Sequence, residues 1–179
     1  MRSATDKAKL LEFIQQIGAT AQGPGRVYLV GGSTALLLGI RDQTIDIDIK
    51  LDPEPKAIFE SIAILKERLQ TNVELASPDQ FLPTLPGWQS RSEFIAKSGP
   101  VEFYHYDFYA QTLAKILRGH TTDLADARAL VQLGKVVPSR LNDLFQKIKP
   151  DLIRYPGINA LEFEARVGRF IQEASVEGA

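Results

Sequence analysis

One stretch of the chain limits what it can fold into more than any other. It runs from Val27 to Leu51 and reads VYLVGGSTALLLGIRDQTIDIDIKL. The apolar residues at its start predict a short strand, and the glycines that follow predict a tight turn. The next apolar run predicts a helix, and the alternating end predicts a second strand. A strand, turn, helix and strand in so short a span predict an α/β domain whose sheet is built around this segment.

Two aspartates, Asp46 and Asp48, lie on the second of these strands. Side chains two residues apart on a strand point to the same face, so the carboxylates share one face while Ile45, Ile47 and Ile49 fill the other. Two carboxylates on one face repel each other and lose hydration in a cleft, which is unfavourable unless a cation lies between them. Magnesium fits, because it takes oxygen ligands and commonly combines one or two carboxylates with substrate phosphates.

The turn supplies groups that suit an anion. Gly31 and Gly32 permit positive φ and close backbone approach. A helix that begins at Ser33 or Thr34 directs its first amides at whatever lies over the turn, and phosphate oxygens fit there. Taken singly, a Gly-Gly turn is usually only a turn, and alternating Asp and Ile suit any half-buried strand. Because aspartate is depleted in strands, two in phase just after such a turn favour a metal and phosphate site.

These residues together resemble a known signature. Gly31-Gly32-Ser33 followed by Asp46-Ile47-Asp48 resembles the nucleotidyltransferase superfamily, the polymerase-beta-like fold, in which a Gly-Ser turn precedes an acid-x-acid strand. Among its branches the chain looks most like the bacterial group that includes AbiEii-type and MenT-type toxin nucleotidyltransferases. The resemblance implies a small mixed sheet flanked by helices, a nucleoside triphosphate as substrate and Mg²⁺ as cofactor. Neither a Walker loop nor the G-x-G-x-x-G spacing of dinucleotide-binding turns is present.

A third carboxylate is implied by the same resemblance, because a later strand of the superfamily often offers one to the metal ions. Residues 92–97 and 101–106, joined by a Ser-Gly-Pro turn, predict a hairpin that extends the sheet. Glu102 alternates along the second strand of this hairpin, and Asp107 lies at its end. We therefore expect Glu102 to be the third metal ligand, with Asp107 as the alternative.

A second informative segment reads YAQTLAKILRGHTTDLADARALVQLG, and it predicts two helices, the first beginning at about Phe108. Lys115 and Arg118 are three residues apart and share a helical face, as do Asp123 and Asp126. Charge content alone favours two helices that carry solvated charges.

The resemblance changes that interpretation. AbiEii-like and MenT-like proteins have a lysine on one helix, then an Arg-rich turn and an Asp-x-x-Asp, a pattern that Lys115, Arg118, Asp123 and Asp126 match. The resemblance implies that Lys115 and Arg118 bind the nucleotide and that the two aspartates are catalytic. One aspartate would orient or deprotonate the acceptor, or brace Lys115, and the spacing does not choose between them. Thr122 stands where the family commonly has a basic residue, which implies fewer phosphate contacts.

Elsewhere the chain is mainly helical. Apolar spacing predicts an amphipathic helix over residues 5–18 that Gly18 ends, and another that begins at Asp52-Pro53. Pro138 begins a further helix, and Asn159 begins the last one through a capping motif.

Composition bounds the rest of the interpretation. The 179 residues are 44% hydrophobic, which suits a nucleotidyltransferase-like α/β core over residues 1–107 and a helical C-terminal part over 108–179 packed with it. A net charge of −1 gives no electrostatic case for general nucleic-acid binding, although a local basic patch stays open. Cysteine is absent, and two histidines, His105 and His120, do not predict a zinc site. With no apolar run near 18 residues, we expect a cytoplasmic protein with no membrane contact.

The sequence therefore predicts a Mg²⁺-dependent nucleotidyltransferase that acts on a hydroxyl of an RNA such as transfer RNA, of a protein, or of a small molecule. A cognate toxin or antitoxin would be its partner if it works in such a pair. The alternative is a catalytically degenerate relative that acts by binding, as an antitoxin-like protein or a nucleotide sensor. The unclear third carboxylate and the lack of a broad basic surface favour this alternative.

Overall fold

The computed structural model describes residues 4–177, and these divide into two compact units. The first unit contains the residues up to Ser77 together with Ser92–Tyr106. The second contains Pro78–Arg91 and the residues from Asp107 onward. The sequence placed the start of the helical part at residue 108. In the structure the segment Pro78–Arg91 belongs to the helical unit as well.

The first unit contains a mixed sheet and three helices. Its elements in chain order are β1 (Thr5–Asp6), α1 (Lys7–Thr20), β2 (Gly25–Val30), α2 (Gly32–Leu37), β3 (Gln43–Thr44), β4 (Asp46–Leu51), α3 (Ile58–Arg68), β5 (Asn72–Leu75), β6 (Glu93–Ser98) and β7 (Val101–His105). Five strands form one sheet in the order β5-β4-β2-β7-β6. Strand β2 is antiparallel to β4 and parallel to β7, and β4 is parallel to β5. The predicted α/β fold with a small mixed sheet flanked by helices is confirmed.

One face of this sheet carries the hydrophobic core. Ile47 and Ile49 of β4 lie beside Leu29 of β2, and all three are almost fully buried in one cluster with α1 and α3. Full burial of a side chain of this size stabilises the fold by about 1.5–3 kcal/mol. The prediction for Ile45 is wrong: it precedes β4 and is 78% exposed. Buried and partly exposed side chains alternate only from Asp46 onward, inside β4.

Helix α1 does not end at Gly18 as the sequence predicted but continues to Thr20. A β-carbon built on Gly18 would overlap Ser98, and one built on Gly99 would overlap the Gly18 carbonyl oxygen. Glycine at position 18 therefore serves a close approach between α1 and the β6–β7 turn. The helix begins at Lys7, after Asp6, whose side chain accepts a hydrogen bond from the Lys9 amide.

The predicted helix start at Asp52-Pro53 is also wrong, because α3 begins only at Ile58. A proline disfavours the helical conformation in the residue before it. The Asp52 amide instead donates to the Arg26 carbonyl at 3.1 Å, and the Arg26 amide donates to the Pro53 carbonyl at 2.9 Å. The segment thus continues the pairing of β4 with β2 past the end of the strand.

The second unit is helical. Its elements are a 3₁₀ turn (Pro78–Gln80), α4 (Trp88–Arg91), α5 (Phe108–Arg118), α6 (Thr121–Gln132), α7 (Pro138–Ile148), a 3₁₀ segment (Lys149–Arg154) and α8 (Ala160–Glu177). The predicted starts of α5 at Phe108 and of α7 at Pro138 are confirmed. Asn159 precedes α8 and accepts a hydrogen bond from the Glu162 amide at 3.1 Å, as half of the expected capping motif. Within residues 4–177, no helix combines the length and apolarity that crossing a bilayer requires.

Candidate active site

The two aspartates lie on the face of the sheet opposite the core. Asp46 and Asp48 are partly exposed, whereas Ile47 between them is fully buried. The register places Asp48 beside Val30, the last residue of β2, and the Gly-Gly-Ser turn follows immediately. The carboxylate of Asp48 is therefore held at the point where β2 gives way to α2.

The turn lies directly against Asp48. Gly31 has φ +60°, a conformation that L side chains rarely adopt, and a β-carbon added to it would lie 3.2 Å from Asp48 Oδ2. Gly32 begins α2, and a β-carbon there would overlap the side chain of Thr44. Both glycines are thus required by geometry, and they bring the turn backbone up to the acid-x-acid strand.

Ser33 is buried, whereas a residue that contacts phosphate at the surface needs an exposed hydroxyl. Its side chain is 0% exposed, and its hydroxyl has no hydrogen-bond partner among the described residues. An unpaired buried hydroxyl costs free energy, so a ligand oxygen that reached it would gain a favourable bond. Because Ser33 is covered, its hydroxyl is not accessible to a ligand in this structure.

Two polar residues of β5, which the sequence reasoning missed, complete this face. Asn72 lies opposite Asp46 and Glu74 opposite Asp48 in the parallel register. The Asn72 side-chain amide donates to Asp46 Oδ1 at 2.9 Å and to Glu74 Oε1 at 2.6 Å. These bonds fix the Asp46 carboxylate and hold a further carboxylate next to the pair. The alternation of polar and apolar residues in Asn-Val-Glu-Leu was the signal that could have revealed it.

Glu102, the predicted third metal ligand, does not join Asp48. It pairs with Arg26, which lies four residues before Val30 on β2, so Glu102 is about 13 Å along the strands from the level of Asp48. Arg26 Nε donates to Glu102 Oε2 at 3.1 Å, and the Tyr104 hydroxyl donates to the same oxygen at 3.1 Å. These two hydrogen bonds, that from Arg26 first, lower the pKa of Glu102. Glu102 is therefore part of an ion pair at the other end of the sheet.

Asp107, the alternative third ligand, belongs to the second unit and is already used there. Arg91 donates to Asp107 Oδ2 from Nε at 3.1 Å and from Nη2 at 2.6 Å, and the Tyr109 amide donates to Oδ1 at 3.1 Å. Burial raises the pKa of Asp107, and the hydrogen bonds from Arg91 oppose that rise. Asp107 caps α5 and holds Arg91, a structural role within its unit.

The four charged residues predicted on the helices form one network in the second unit. Lys115 Nζ donates to Asp126 Oδ2 at 2.6 Å and lies 3.7 Å from Asp123 Oδ1. Arg118 Nη2 donates to that same oxygen of Asp123 at 2.6 Å. Lys115 is 3% exposed, whereas the Arg118 side chain is 57% exposed. Helices α5 and α6 thus bury an ammonium between two carboxylates and leave one guanidinium largely in solvent.

The distances indicate that Asp126 is the aspartate that braces Lys115. Asp126 makes the short bond to the ammonium, and Asp123 is shared between Lys115 and Arg118. Two cations and two anions cancel in charge, so burial of Lys115 is compensated locally. Charge content alone favoured solvated charges on both helices, but of these four side chains only that of Arg118 is largely in solvent.

The donor set around the turn fits a magnesium ion. Among residues 4–177, no three His, Cys, Asp or Glu side chains are arranged to hold a metal ion by themselves. Magnesium commonly binds through one or two carboxylates, and substrate phosphates and water complete its shell. The carboxylates of Asp46 and Asp48, backed by Asn72, are a donor set of that kind.

Comparison with protein families gives a match over most of the chain. A family model described as a nucleotidyltransferase of unknown function (DUF6036) matches residues 8–156. No curated protein and no solved structure matches this chain. The matched range includes the Gly-Gly-Ser turn, both aspartates of β4 and the charged network of α5 and α6.

Proposed function

Because this chain belongs to the DUF6036 family of nucleotidyltransferases of unknown function, we propose that it transfers a nucleotidyl group from a nucleoside triphosphate to a hydroxyl of an acceptor. One observation carries the proposal. The carboxylates of Asp46 and Asp48 share a partly exposed face of the sheet, and a β-carbon built on Gly31 would lie 3.2 Å from Asp48 Oδ2. Acids with a glycine turn beside them suit a metal-bound triphosphate.

In this reaction the acceptor oxygen forms a bond to the α-phosphorus and its hydroxyl proton passes to water, while the bond from that phosphorus to the bridging oxygen breaks and pyrophosphate leaves. A bound Mg²⁺ would neutralise negative charge on the phosphate oxygens. Asp46 and Asp48 would hold the ion, and Asn72 keeps the Asp46 carboxylate in place through its 2.9 Å bond. Glu74, tied to the same amide, adds negative charge beside them.

The helical residues take different parts. Arg118 keeps most of its side chain in solvent and is the residue of the network best able to bind phosphate oxygens. Lys115 is buried between Asp123 and Asp126, so it positions these carboxylates. Asp123, which faces both cations, is the candidate to orient the acceptor hydroxyl.

The acceptor class and the biological setting rest on the resemblance alone. Likeness to AbiEii-type and MenT-type toxin nucleotidyltransferases supports an RNA acceptor and a cognate antitoxin, and a protein or small-molecule hydroxyl are the other acceptors to test. Bacterial origin and a cytoplasmic location belong to the same proposal.

Label transfer tests the reaction directly. The protein is incubated with each of the four nucleoside triphosphates labelled at the α-phosphorus, with Mg²⁺, and with total RNA or total protein. We expect one triphosphate to label one acceptor class, and Asp48→Asn to abolish transfer. Asp42→Asn is the matched control, because Asp42 lies exposed in the same segment outside the site. Transfer that Asp48→Asn leaves unchanged contradicts the proposed site.

A second candidate function is nucleotide binding without transfer, as in a sensor or an antitoxin-like relative. The burial of Lys115 favours it, since an ammonium bonded to Asp126 at 2.6 Å is not presented to a phosphate. Thermal unfolding separates the two functions. Stabilisation by one triphosphate with Mg²⁺ but no label on any acceptor supports binding only. A ligand at 100 times its dissociation constant adds about 2.7 kcal/mol to the free energy of unfolding.

A further inference from the structure

A pocket in the second unit gathers arginines that the proposed reaction does not use. It has a volume of about 150 Å³ and lies among the end of α5, the first half of α6, and α8. Arg128, Arg166 and Arg169 line it together with Glu173. The lining cations outnumber the lining anion by three to one, so this is a local concentration of positive charge on a chain whose net charge is −1.

The three arginines differ in their hydrogen-bond and ion-pair partners. Arg128 donates to Glu173 at 2.9 Å. Arg166 donates to Glu162 at 2.5 Å and to the Leu117 carbonyl at the end of α5 at 2.9 Å. Arg169 makes no hydrogen bond or ion pair with any residue that the structure describes. One guanidinium is therefore available beside two that are held in place.

The positions of these groups are fixed by the helices. Arg166, Arg169 and Glu173 recur at intervals of three and four residues, so they lie along one face of α8. Gly119, which ends α5 with φ +71°, leaves room for Arg166, since a β-carbon there would lie 2.8 Å from Arg166 Nη1. The pocket is a built feature of three packed helices.

The walls and the size of the pocket indicate the ligand. Ile116, Leu124 and Phe170 supply an apolar lining, which strengthens electrostatic attraction by lowering the local dielectric. A planar guanidinium binds phosphate oxygens in a two-pronged geometry, with charge-assisted hydrogen bonds. At about 10–15 Å³ for each water-sized position, the volume admits a phosphate group and part of the sugar it esterifies, but less than a whole nucleotide.

We infer that this pocket binds a phosphate ester, separately from the nucleotidyltransferase site, with Arg169 as its main contact. The phosphate is carried either by a small sugar phosphate or by the end of an RNA strand. Glu173 holds the side chain of Arg128 beside Arg169, and Glu162 holds that of Arg166. These two guanidinium groups therefore lose little conformational entropy when the ligand binds. This goes beyond the proposed reaction, which uses none of the residues that line the pocket.

The test uses ribose 5-phosphate as the probe, titrated into the full-length Asp46→Asn/Asp48→Asn protein by calorimetry in the presence of EDTA. This background removes the two candidate metal ligands, so the result is independent of whether the enzyme reaction exists. We expect binding that Arg169→Ala weakens about tenfold or more, because one charge-assisted contact is lost. Arg169→Lys retains the positive charge but not the paired N–H donors of the guanidinium. We therefore expect a loss of affinity smaller than that of Arg169→Ala.

The matched control is Arg154→Ala, an exposed arginine of the same unit that pairs with Asp151, three residues before it. Arg154→Ala should bind ribose 5-phosphate like the parent. An RNA oligonucleotide with a 5′-phosphate identifies the source of the ligand if it competes with the probe and its 5′-hydroxyl form does not. No binding of the probe, or equal losses in Arg169→Ala and Arg154→Ala, overturns the inference.

Discussion

Lys115 and Asp126 offer a sharp test of the structure, because their charges are buried and bonded at 2.6 Å. In Lys115→Met the apolar stem is kept and the ammonium is lost, so the buried Asp126 is left without its cation. Removal of one partner of a buried ion pair costs about 3–5 kcal/mol. For a chain of this size that lowers the melting temperature by about 6–20 °C.

The second change is Lys115→Met/Asp126→Leu, which replaces both charges by apolar groups. Such replacements are often neutral or stabilising, so we expect the double variant to recover most of the lost stability. Neither variant changes Arg118 or Asp123, which pair at 2.6 Å in this structure. With Asp126→Leu as the second single variant, a double-mutant cycle gives the coupling between Lys115 and Asp126.

Lys149→Met is the matched control. Lys149 also forms a 2.6 Å pair, with Glu164, but both side chains are more than a third exposed. Exposed pairs contribute about 0–1 kcal/mol, so this variant should melt close to the wild type. Urea unfolding followed by circular dichroism measures the wild type and these four variants. If Lys115→Met is no less stable than Lys149→Met, the burial of this network is refuted. Label transfer by the double variant then reports what Lys115 does beyond stability.

Three further predictions concern single positions. Gly32→Ala should destabilise the fold by about 1–3 kcal/mol, because its β-carbon meets Thr44, whereas Gly168→Ala, in open space on α8, should be neutral or stabilising in the same urea unfolding. Thr112→Val should raise the free energy of unfolding by about 1 kcal/mol, since the Thr112 hydroxyl is buried without a partner among the described residues; a loss in thermal unfolding would show that the hydroxyl is bonded. Burial raises the folded-state pKa of Asp107 above its unfolded value, so the stability from this group is complete below the unfolded pKa and declines as pH rises through the folded pKa. Arg91→Met removes the hydrogen bonds that oppose this rise, so carboxyl NMR titration should show Asp107 protonating at higher pH than in the wild type.

The sequence predicted what depends on short-range pattern. The alternation of Asp46 to Ile49 follows from the two-residue period of a strand, and the strand, turn and helix from Val27 onward are local as well. The starts of α5 and α7 were also predictable, because a capping residue and a proline mark them. These features can be predicted without knowing the tertiary packing of the elements.

Long-range pairing was not predictable in the same way. Glu102 was grouped with the aspartates because it alternates correctly on its strand, but the register of β7 against β2 carries it to Arg26 instead. Glu74 and Asn72 became visible only once β5 was known to lie beside β4. The ion pairs of Lys115 required the packing of α5 on α6, which spacing within either helix does not specify.

The contact between Gly18 and Gly99 has an evolutionary consequence. Backbone meets backbone there, since a β-carbon on Gly99 would overlap the Gly18 carbonyl oxygen. A larger residue at either position cannot be accommodated by trimming a neighbouring side chain, because the obstacle is the main chain itself. Relatives that keep this junction should therefore keep both glycines, even where substitutions at Asp46 or Asp48 have removed the catalytic acids. The glycine pair would then mark common descent in members of the family whose chemistry has been lost.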